Sequence, residues 1–596
     1  MLADCLKVFE KIYQDKGDKL LLDAYVPADG LYVIIYWEDG QFRVKKTVNI
    51  KYNKKTKELE GADDLFFKNI CYYDYSSKLI DMNKPIDIKK IIQGNNYLSF
   101  IVKKESLSNG KLTNEIIDTF YETLSEPKKK YQSKPKSLEL YESIEQAIGE
   151  PNKNEITKVK DWIKQNIFSL EQLGIEVTGK DYLKIFFELE SEEQSNYDNF
   201  DRESRRYLIP NIYNSNDYNI TIDETIYGVP NNNMGLNAKK PYLVNKTREI
   251  ETPSLVTQEY ALTEKKFFDY LMNNAAKNNV NVYIDIENSK FKFYQPTVMC
   301  ENNIKGYFLR MKKGKEVEIH DFDIVPNYSY QIKCPIEIKN VLDIDLSNSA
   351  FKEHKYGYIN TKAELQDRIN DILFSKYLIN NYFVDAKDMK INDSILKNCI
   401  LLSRDVIFNY IYKGINNGLF KMLDNIALRL IKNSIMNGYN VKAIYQFNFK
   451  WSLKQYCSEG RDETMDILTD IRTSLREKIN LNETTSLVND DEYYFAVGQL
   501  VSYFLSLSKA GKKNLSLVNP FINASNNEVV KMKLKQLFKK YNYAISDNSK
   551  RIKNMYTMVS GYQTTSKVNQ DLIIAGYLSS SLIYEKGSQG GTNYEE

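Results

Sequence analysis

Two short acidic segments have the residue types for metal-dependent phosphodiester cleavage. His320 and Asp323 bound the run His-Asp-Phe-Asp, and Glu337 with Lys339 follows in an E-x-K pattern. In a nuclease with this layout the two carboxylates would hold Mg²⁺ and the lysine would steady the attacking water. The alternative is a β-strand whose polar residues simply alternate. The same E-x-K spacing occurs at three other places, beginning at Glu126, Glu264 and Glu353.

The histidines and cysteines exclude several other chemistries. The chain has only two histidines, His320 and His354, whereas most zinc hydrolases and HD-type phosphohydrolases bring two or more imidazoles to one site. None of the six cysteines forms a C-x-x-C pair, so neither a thiolate zinc site nor a disulfide framework is indicated. A G-x-x-x-x-G-K-[ST] phosphate loop and a G-x-S-x-G elbow are also missing from the sequence. Apart from the nuclease alternative, the sequence therefore predicts no catalytic residue, no metal and no cofactor.

Positive charge is concentrated near the C-terminal end of the chain. Residues 493–584 carry twelve lysines and arginines against three acids, or +9, while the whole chain carries +3. On a helix, lysines four residues apart form one stripe and repel each other, and a bound phosphate backbone would offset that repulsion. The alternative is a solvated lysine face. The predicted strand-backbone contacts are Lys531, Lys533, Lys535, Lys539, Lys540, Lys550, Arg551 and Lys553.

Residues 225–248 are a second candidate for contact with nucleic acid. This segment holds four basic residues and no acid, together with several asparagines, and Gly228, Pro230 and Gly235 at positions that suit a shaped loop. Side-chain amides can donate to and accept from base edges, while lysines hold the backbone. An asparagine-rich turn without a ligand is the alternative.

The predicted secondary structure that carries these candidate residues changes along the chain, from mixed helix and strand to helix alone. Apolar runs at 31–37 and 42–50 flank an Asp-Gly turn and predict a hairpin, and further strands are expected at 97–102, 280–286 and 336–346. Helical periodicity marks 363–383 and 391–412, and four helix-length segments at 493–509, 527–541, 548–560 and 568–584 predict a bundle. The fold class is therefore α+β. The predicted regions are a mixed α+β part at 1–126, a basic linker or loop at 127–137, an α+β region at 138–350, a helical region at 351–490, a basic helical bundle at 491–586 and a disordered tail at 587–596.

The hydropathy pattern predicts a cytoplasmic protein that has no membrane partner. The longest notable apolar run, residues 31–37, has seven residues, against roughly 20 for a helix that crosses a bilayer. The first ten residues mix acids and bases and lack the charged-then-apolar layout of a secretion signal.

Several segments in combination resemble the large subunit of the type I-B CRISPR Cascade effector complex. They are spread over nearly the whole chain, and none encodes an enzymatic motif. The segments are the Asp-Gly hairpin of 31–50 and residues 71–87, 95–104, 231–242, 519–524 and 558–562.

The resemblance implies a non-catalytic subunit of an RNA-guided surveillance complex. Such a subunit sits at the 5′ end of the guide, recognises the protospacer-adjacent motif (PAM) in duplex DNA, helps to open the duplex, and supports the displaced strand through a C-terminal helical domain. The implied partners are the CRISPR RNA, target double-stranded DNA, the Cascade backbone subunits and a helicase-nuclease that performs the cutting. A separate small subunit translated internally, from about Met465, is also suggested. The implied PAM contacts are Asn231, Asn232, Asn233, Gly235, Asn237, Lys239 and Lys240.

The PAM role can be tested with the double substitution Asn232→Ala and Lys239→Ala. We expect the assembled complex to lose its binding of PAM-containing duplex, because an amide that reads a base edge and a lysine that holds the backbone are both removed. The affinity of the complex for that duplex is the measurement. An unchanged affinity would move the PAM site elsewhere.

Overall fold

The chain forms two compact units in a computed structural model. They are Met1–Pro296 with Gly306–Ile324, and Thr297–Lys305 with Val325–Glu596. Helix makes up 51% and strand 17% of the structure, so the predicted α+β class is confirmed. In the ranges described, no helix has both the length and the apolar character that a bilayer span requires. The structure describes residues 2–53, 58–189, 195–231, 255–314, 316–347, 351, 355–457, 467–483, 485–509, 515–546 and 549–585.

A five-stranded sheet of order β3-β2-β1-β5-β4 lies at the centre of the first unit. Its strands are β1 (Gly30–Glu38), β2 (Gln41–Tyr52), β3 (Leu59–Glu60), β4 (Ser99–Lys103) and β5 (Tyr182–Glu188). The predicted hairpin is confirmed: β1 and β2 are antiparallel, and Asp39 and Gly40 have the positive φ angles, 49° and 80°, of a tight two-residue turn. Because β5 runs parallel to β1 and antiparallel to β4, residues on both sides of the predicted 127–137 boundary build one sheet.

Helices cover this sheet, and its central strand β1 is accordingly apolar on both faces. The residues of β1 from Leu31 to Ile35 are all buried, together with apolar residues of the helices around them. One buried ion pair fixes the sheet to a helix, since Lys184 Nζ on β5 lies 2.5 Å from Asp74 Oδ1 on α3. The helices of the unit are α1 (Leu2–Lys16), α2 (Lys19–Leu22), α3 (Phe67–Ser76), α4 (Lys104–Ser108), α5 (Asn114–Ser125), α6 (Pro127–Tyr131), α7 (Pro135–Ile148), α8 (Lys153–Asn166), α9 (Asn196–Asn211) and α10 (Gln258–Ala276).

The predicted linker or loop at 127–137 is wrong, because α6 and the start of α7 occupy it. Each of these helices has a proline in its first turn, Pro127 and Pro135. Proline fits that position because its φ is already helical and the missing N–H would have no partner inside the helix. The basic residues are also used structurally: Lys130 Nζ donates to the carbonyl of Pro85 at 2.7 Å.

Two further sheets belong to this part of the chain. The larger has the order β10-β9-β11-β12, with Phe9 of α1 and Leu271 of α10 in its core beside Val282 and Ile284, and its β9 confirms the strand expected at 280–286. The smaller has the order β6-β7-β8. The strands are β6 (Ile220–Ile222), β7 (Thr225–Gly228), β8 (Val256–Thr257), β9 (Asn281–Asp285), β10 (Lys290–Tyr294), β11 (Ile304–Lys313) and β12 (Val317–Tyr328), of which β11 and β12 cross the boundary between the units.

The second unit is mainly helical. It holds the antiparallel pair β13 (Gln331–Ile338) and β14 (Gly357–Thr361), so the strand expected at 336–346 ends at Ile338. Helical turns continue α11 and α12 as short π segments, Ile369–Leu373 and Asn409–Lys413. The helices are α11 (Lys362–Arg368), α12 (Ser394–Phe408), α13 (Leu419–Met436), α14 (Asn440–Cys457), α15 (Ile467–Asn480), α16 (Asp490–Ser506), α17 (Asn519–Ile522), α18 (Asn527–Tyr541), α19 (Lys550–Gly561) and α20 (Gln570–Leu578).

The helices predicted as a C-terminal bundle are present, and they share their core with earlier helices. Buried residues of α13, α14 and α15 belong to the same hydrophobic cluster as those of α16 to α20. At its centre α16 and α20 meet backbone to backbone. A Cβ atom on Gly498 would lie 2.2 Å from the carbonyl oxygen of Ile573, and one on Gly576 would lie 2.0 Å from that of Phe495. Gln499 Nε2 also donates to the Gly576 carbonyl at 2.6 Å.

The substitution Gly498→Ala should lower the free energy of unfolding of the second unit by about 1–3 kcal/mol, the usual cost of overpacking. The added methyl group meets a backbone oxygen, which cannot rotate away as a side chain can. Thermal or denaturant unfolding measures the effect. Gly561→Ala is the matched control, because a Cβ there meets nothing within 4 Å, and equal midpoints for the two variants would contradict the packing described.

Candidate nucleic-acid interface

The amphipathic helix α18 places five of the eight predicted strand-contacting residues on one element. Val530, Leu534, Leu537 and Tyr541 are buried in the core, at the three- and four-residue spacing of one helix face. The Asn526 side chain accepts a hydrogen bond from the Glu528 amide at 2.8 Å and caps the start of the helix. With the inner face fixed in this way, the lysines of α18 are directed outward or to the sides.

These five lysines differ in whether their ammonium groups have partners within the protein. The ammonium of Lys531 donates to the Tyr562 carbonyl at 2.6 Å, and that of Lys533 donates to Gln536 Oε1 at 3.2 Å. Lys540 lies over the ring of Tyr541, 5.4 Å from its centroid. Lys535 and Lys539 are exposed, and the described residues offer neither of them a hydrogen-bond or ion-pair partner. The outer face of α18 therefore presents Lys535, Lys539 and Lys540 to solvent.

The basic residues of α19 have a second role in the fold. Lys550 Nζ donates to the Asn480 carbonyl at 2.9 Å, and Arg551 Nε donates to Asn480 Oδ1 at 2.7 Å. Asn480 is the last residue of α15, where the helix dipole favours cations. Lys553, the third predicted contact on α19, is exposed. Lys550 and Arg551 thus stabilise the end of a neighbouring helix as well as carrying positive charge.

The acids around this surface reduce the net charge, yet most of them are held by internal partners. Helix α16 begins with three acids that precede residue 493, so residues 490–585 hold twelve basic residues against seven acids. Desolvation raises the pKa of Asp490, but hydrogen bonds from Ser566, Tyr562 and Thr565 outweigh it and lower that pKa to about 2. Asp571 pairs with Lys450 at 2.6 Å. Among the described residues, neither carboxylate forms an ion pair with an outer lysine of α18.

Glu492 and Glu585 are held in the same way. Burial opposes ionisation of Glu492, but Lys478 and Ser474 donate to its carboxylate and keep its pKa below the usual value. Glu585 accepts two hydrogen bonds from Arg476, at 2.7 and 2.9 Å, and that pairing lowers its pKa. Both carboxylates are committed to partners on α15.

The described residues at the two ends of the candidate PAM segment lie at neighbouring points of the first unit. Strands β7 and β8 pair antiparallel, with Gly228 opposite Val256, so the two ends of 229–255 are side by side. Of the predicted PAM contacts, only Asn231 is described; it is half-buried and follows Pro230, which bridges to Tyr213. The other predicted positions that lie outside the described residues are Asn232, Asn233, Gly235, Asn237, Lys239, Lys240, Met465 and the tail 587–596.

Tyr213 holds the two strands at the base of this segment together. Its buried hydroxyl is shared between the Ile226 carbonyl on β7, at 2.8 Å, and the Val256 carbonyl on β8, at 3.1 Å. Gly228 lets the ring approach, because a Cβ there would lie 2.4 Å from Tyr213 Cγ. Sequence reasoning noted Gly228 as a loop residue but missed Tyr213, since nothing local marks a partner 15 residues upstream.

A buried lysine secures the chain on which Tyr213 lies. Lys84 Nζ donates to the Asn211 carbonyl at 2.9 Å and also to the carbonyl of Tyr213. Burial lowers the pKa of this lysine to about 8, and two backbone acceptors compensate part of its desolvation. The Tyr213 hydroxyl and the Lys84 ammonium therefore both hold the backbone at the base of the 229–255 segment.

The residues of the nuclease alternative are distributed over both units. Asp323 belongs to the first, and Glu337 and Lys339 belong to the second, where Lys339 Nζ lies 3.4 Å from Glu337 Oε2. Among the residues whose placement is given, no three His, Cys, Asp or Glu side chains are grouped as a metal site would require. The nuclease remains a prediction.

The geometry of the second unit suits contact with a polyanion. Helix α18 presents Lys535 and Lys539 to solvent without an ion-pair partner among the described residues, and four acids of the region, Asp490, Glu492, Asp571 and Glu585, have partners elsewhere in the unit. In comparisons of this chain with family models, with curated proteins and with solved structures, nothing matches.

The substitution Tyr213→Phe should loosen the base of the 229–255 segment. It removes the hydroxyl shared by two strand carbonyls and should cost about 1 kcal/mol of local stability. Amide hydrogen exchange of peptides covering 220–228 and 256–260 is the measurement, and faster exchange there is expected. Tyr227→Phe, a half-buried tyrosine on β7, is the control, and equal protection in the two variants would contradict this role for Tyr213.

Proposed function

We propose that this chain is the non-catalytic large subunit of a cytoplasmic, RNA-guided type I-B CRISPR surveillance complex. In that role it recognises the PAM in duplex DNA, promotes R-loop formation, supports the displaced strand and recruits a helicase-nuclease. The observation that carries the proposal is the outer face of α18, where Lys535, Lys539 and Lys540 are exposed and have no ion-pair partner among the described residues. The sequence resemblance supplies the biological setting.

The chemistry of this face supports strand holding without sequence readout. Lysine ammonium groups contact phosphates as point charges, which adds affinity but distinguishes no base. In an RNA-guided complex, pairing between guide and target supplies the sequence specificity. A protein in this position needs a short duplex contact and backbone support, and both candidate surfaces suit those tasks.

The 229–255 segment supports the assignment of the PAM contact to the first unit. A loop that reads base edges must present its side chains from a fixed support, because each misplaced hydrogen bond loses affinity and selectivity. The Tyr213 hydroxyl and the Lys84 ammonium provide such a support at the base of the segment. The PAM role of Asn231 and the six further predicted residues is part of this proposal.

The remaining partners follow from the same proposal. They are the CRISPR RNA, the Cascade backbone subunits, the target duplex with its displaced strand, and the helicase-nuclease. A small subunit that starts at about Met465 would contain α15 to α20 complete, because α14 ends at Cys457 and α15 begins at Ile467. That product would keep the α16–α20 contact and the outer face of α18.

Binding of single-stranded DNA by the purified chain tests the interface. If about six phosphates are neutralised, the logarithm of the binding constant should fall with the logarithm of salt concentration at a slope of roughly −4. The variant Lys535→Ala with Lys539→Ala should bind more weakly, and its slope should be less negative by about 1.4. The matched control is Lys387→Ala with Lys390→Ala, two exposed lysines of the same unit.

The complete assembly is tested by copurification. Tagged chain isolated from its native cells should bring along a CRISPR RNA and a backbone subunit. A chain that arrives without RNA, or that cuts DNA by itself when Mg²⁺ or Mn²⁺ is added, would contradict the proposal, and cutting would favour the nuclease alternative at Asp323, Glu337 and Lys339.

A further inference from the structure

The outer face of α18 carries a line of residues that are not lysines. Val529, Met532 and Gln536 follow one another at intervals of three and four residues, and Tyr543 continues the line in the 3-10 turn Asn542–Ala544. The exposed fractions are 39% for Val529, 49% for Met532 and 70% for Tyr543. At 3.6 residues per turn these side chains share one stripe, named here the α18 stripe.

Lysines border the α18 stripe on both sides. Advancing 100° per residue, the helix places Lys535 and Lys539 along one side of the stripe and Lys533 and Lys540 along the other, whereas Lys531 lies beside the buried face. The buried residues Val530, Leu534, Leu537 and Tyr541 lie on the opposite face. The surface is therefore an apolar and amide track between two rows of positive charge.

Tyr543 is the member of the stripe that is most available to a ligand. Among the residues that the structure describes, its ring has no aromatic neighbour and its hydroxyl no hydrogen-bond partner. Tyr584, also exposed, is different: its ring lies 5.3 Å from that of Tyr503, and its hydroxyl lies 3.0 Å from Ser506 Oγ. Nucleic-acid bases stack on solvent-exposed aromatic rings, and lysines beside such a ring contact the phosphates.

The composition of the track distinguishes between the forms of nucleic acid. A duplex presents phosphates and keeps the faces of its bases inside, so it would use the lysines alone. A single strand presents both phosphates and base faces, and stacking of a base on an aromatic ring is worth about 1–3 kcal/mol. The track is about 20 Å long, enough for about six nucleotides at the 3.4 Å spacing of a stacked strand.

We propose that the α18 stripe contacts the bases of a single strand, with Tyr543 as the stacking platform, while the lysines on either side hold its phosphates. This inference rests on the proposed function and deepens it. It makes α18 selective for single-stranded over double-stranded nucleic acid by a means that charge alone does not supply.

The test compares Tyr543→Ala with the unchanged full-length chain, using labelled dT12 and a labelled 12-base-pair duplex in fluorescence anisotropy. The dissociation constant for dT12 should rise at least fivefold, the lower end of the stacking contribution, while that for the duplex stays within twofold. Tyr543→Phe should retain dT12 binding, because phenylalanine also stacks. Tyr439→Ala, which removes another tyrosine of the same unit that is 62% exposed, should leave both affinities unchanged.

The salt dependence separates stacking from charge. Tyr543→Ala should weaken dT12 binding without altering the slope against salt, whereas Lys535→Ala with Lys539→Ala should reduce the slope. If the lysine variant weakens binding of both oligonucleotides and Tyr543→Ala changes neither, the stripe is not a base contact, and the phosphate-binding face of the proposed function stands.

Two further outcomes also decide the question. If neither variant changes dT12 binding, α18 is not a nucleic-acid interface, and both the inference and the interface in the proposed function are overturned. If Tyr543→Ala leaves dT12 binding intact but releases a protein subunit from the purified complex, the stripe is a protein contact and the inference is overturned.

Discussion

The contact between α16 and α20 is the constraint on which the helical unit depends. Gly498 and Gly576 allow two backbones to meet at a distance that any side chain would prevent, and Gln499 bonds across the same contact. Helix α16 is buried along nearly its whole length, so helices can pack on several of its sides. Phe504 of α16 contacts Phe538 of α18, which in turn stacks on Tyr556 of α19. The direction in which the α18 lysines point follows from this arrangement.

Lysine has two distinct uses in this protein, and composition does not distinguish them. Lys84 and Lys130 are buried and donate to backbone carbonyls, and burial lowers the pKa of each to about 8. Lys450 lies between Asp424 and Asp571. Lysines of this kind hold neighbouring segments in place and contribute little to a surface potential. The outward lysines of α18 are the opposite case, and their effect depends on how nearby carboxylates are occupied.

Much of the local structure could be predicted from the sequence, because its signals are short-range. The Asp-Gly hairpin follows from a two-residue turn between apolar strands, and the bounds of α18 follow from an asparagine cap and a regular apolar face. Long-range features carry no such signal. The parallel pairing of β1 with β5 joins residues about 150 positions apart, and the Tyr213 hydroxyl meets a carbonyl 43 residues away. The sequence pattern around Pro127 and Pro135 predicts a break in regular structure, but each of these prolines lies in the first turn of a helix.

The candidate site could be predicted only in part from the sequence, because it too depends on long-range contacts. The lysines of α18 could be placed on one helix, but the engagement of Lys550 and Arg551 with Asn480 depends on the packing of α15 against α19. The charge of the region also depends on where α16 begins. A boundary at residue 493 omits Asp490, Asp491 and Glu492, which only the helix start at Asp490 includes.

The attachment of residues 229–255 to a single strand pair has a consequence for how much the length and sequence of this segment can vary. Since its two ends adjoin one pair of facing strand residues, Gly228 and Val256, the strands impose no particular number of residues between them. Doubling the length of such an insertion adds only about 0.6 kcal/mol of closure entropy. Under the proposed function, recognition can therefore change by exchange of this one segment, while the strands that flank it stay the same.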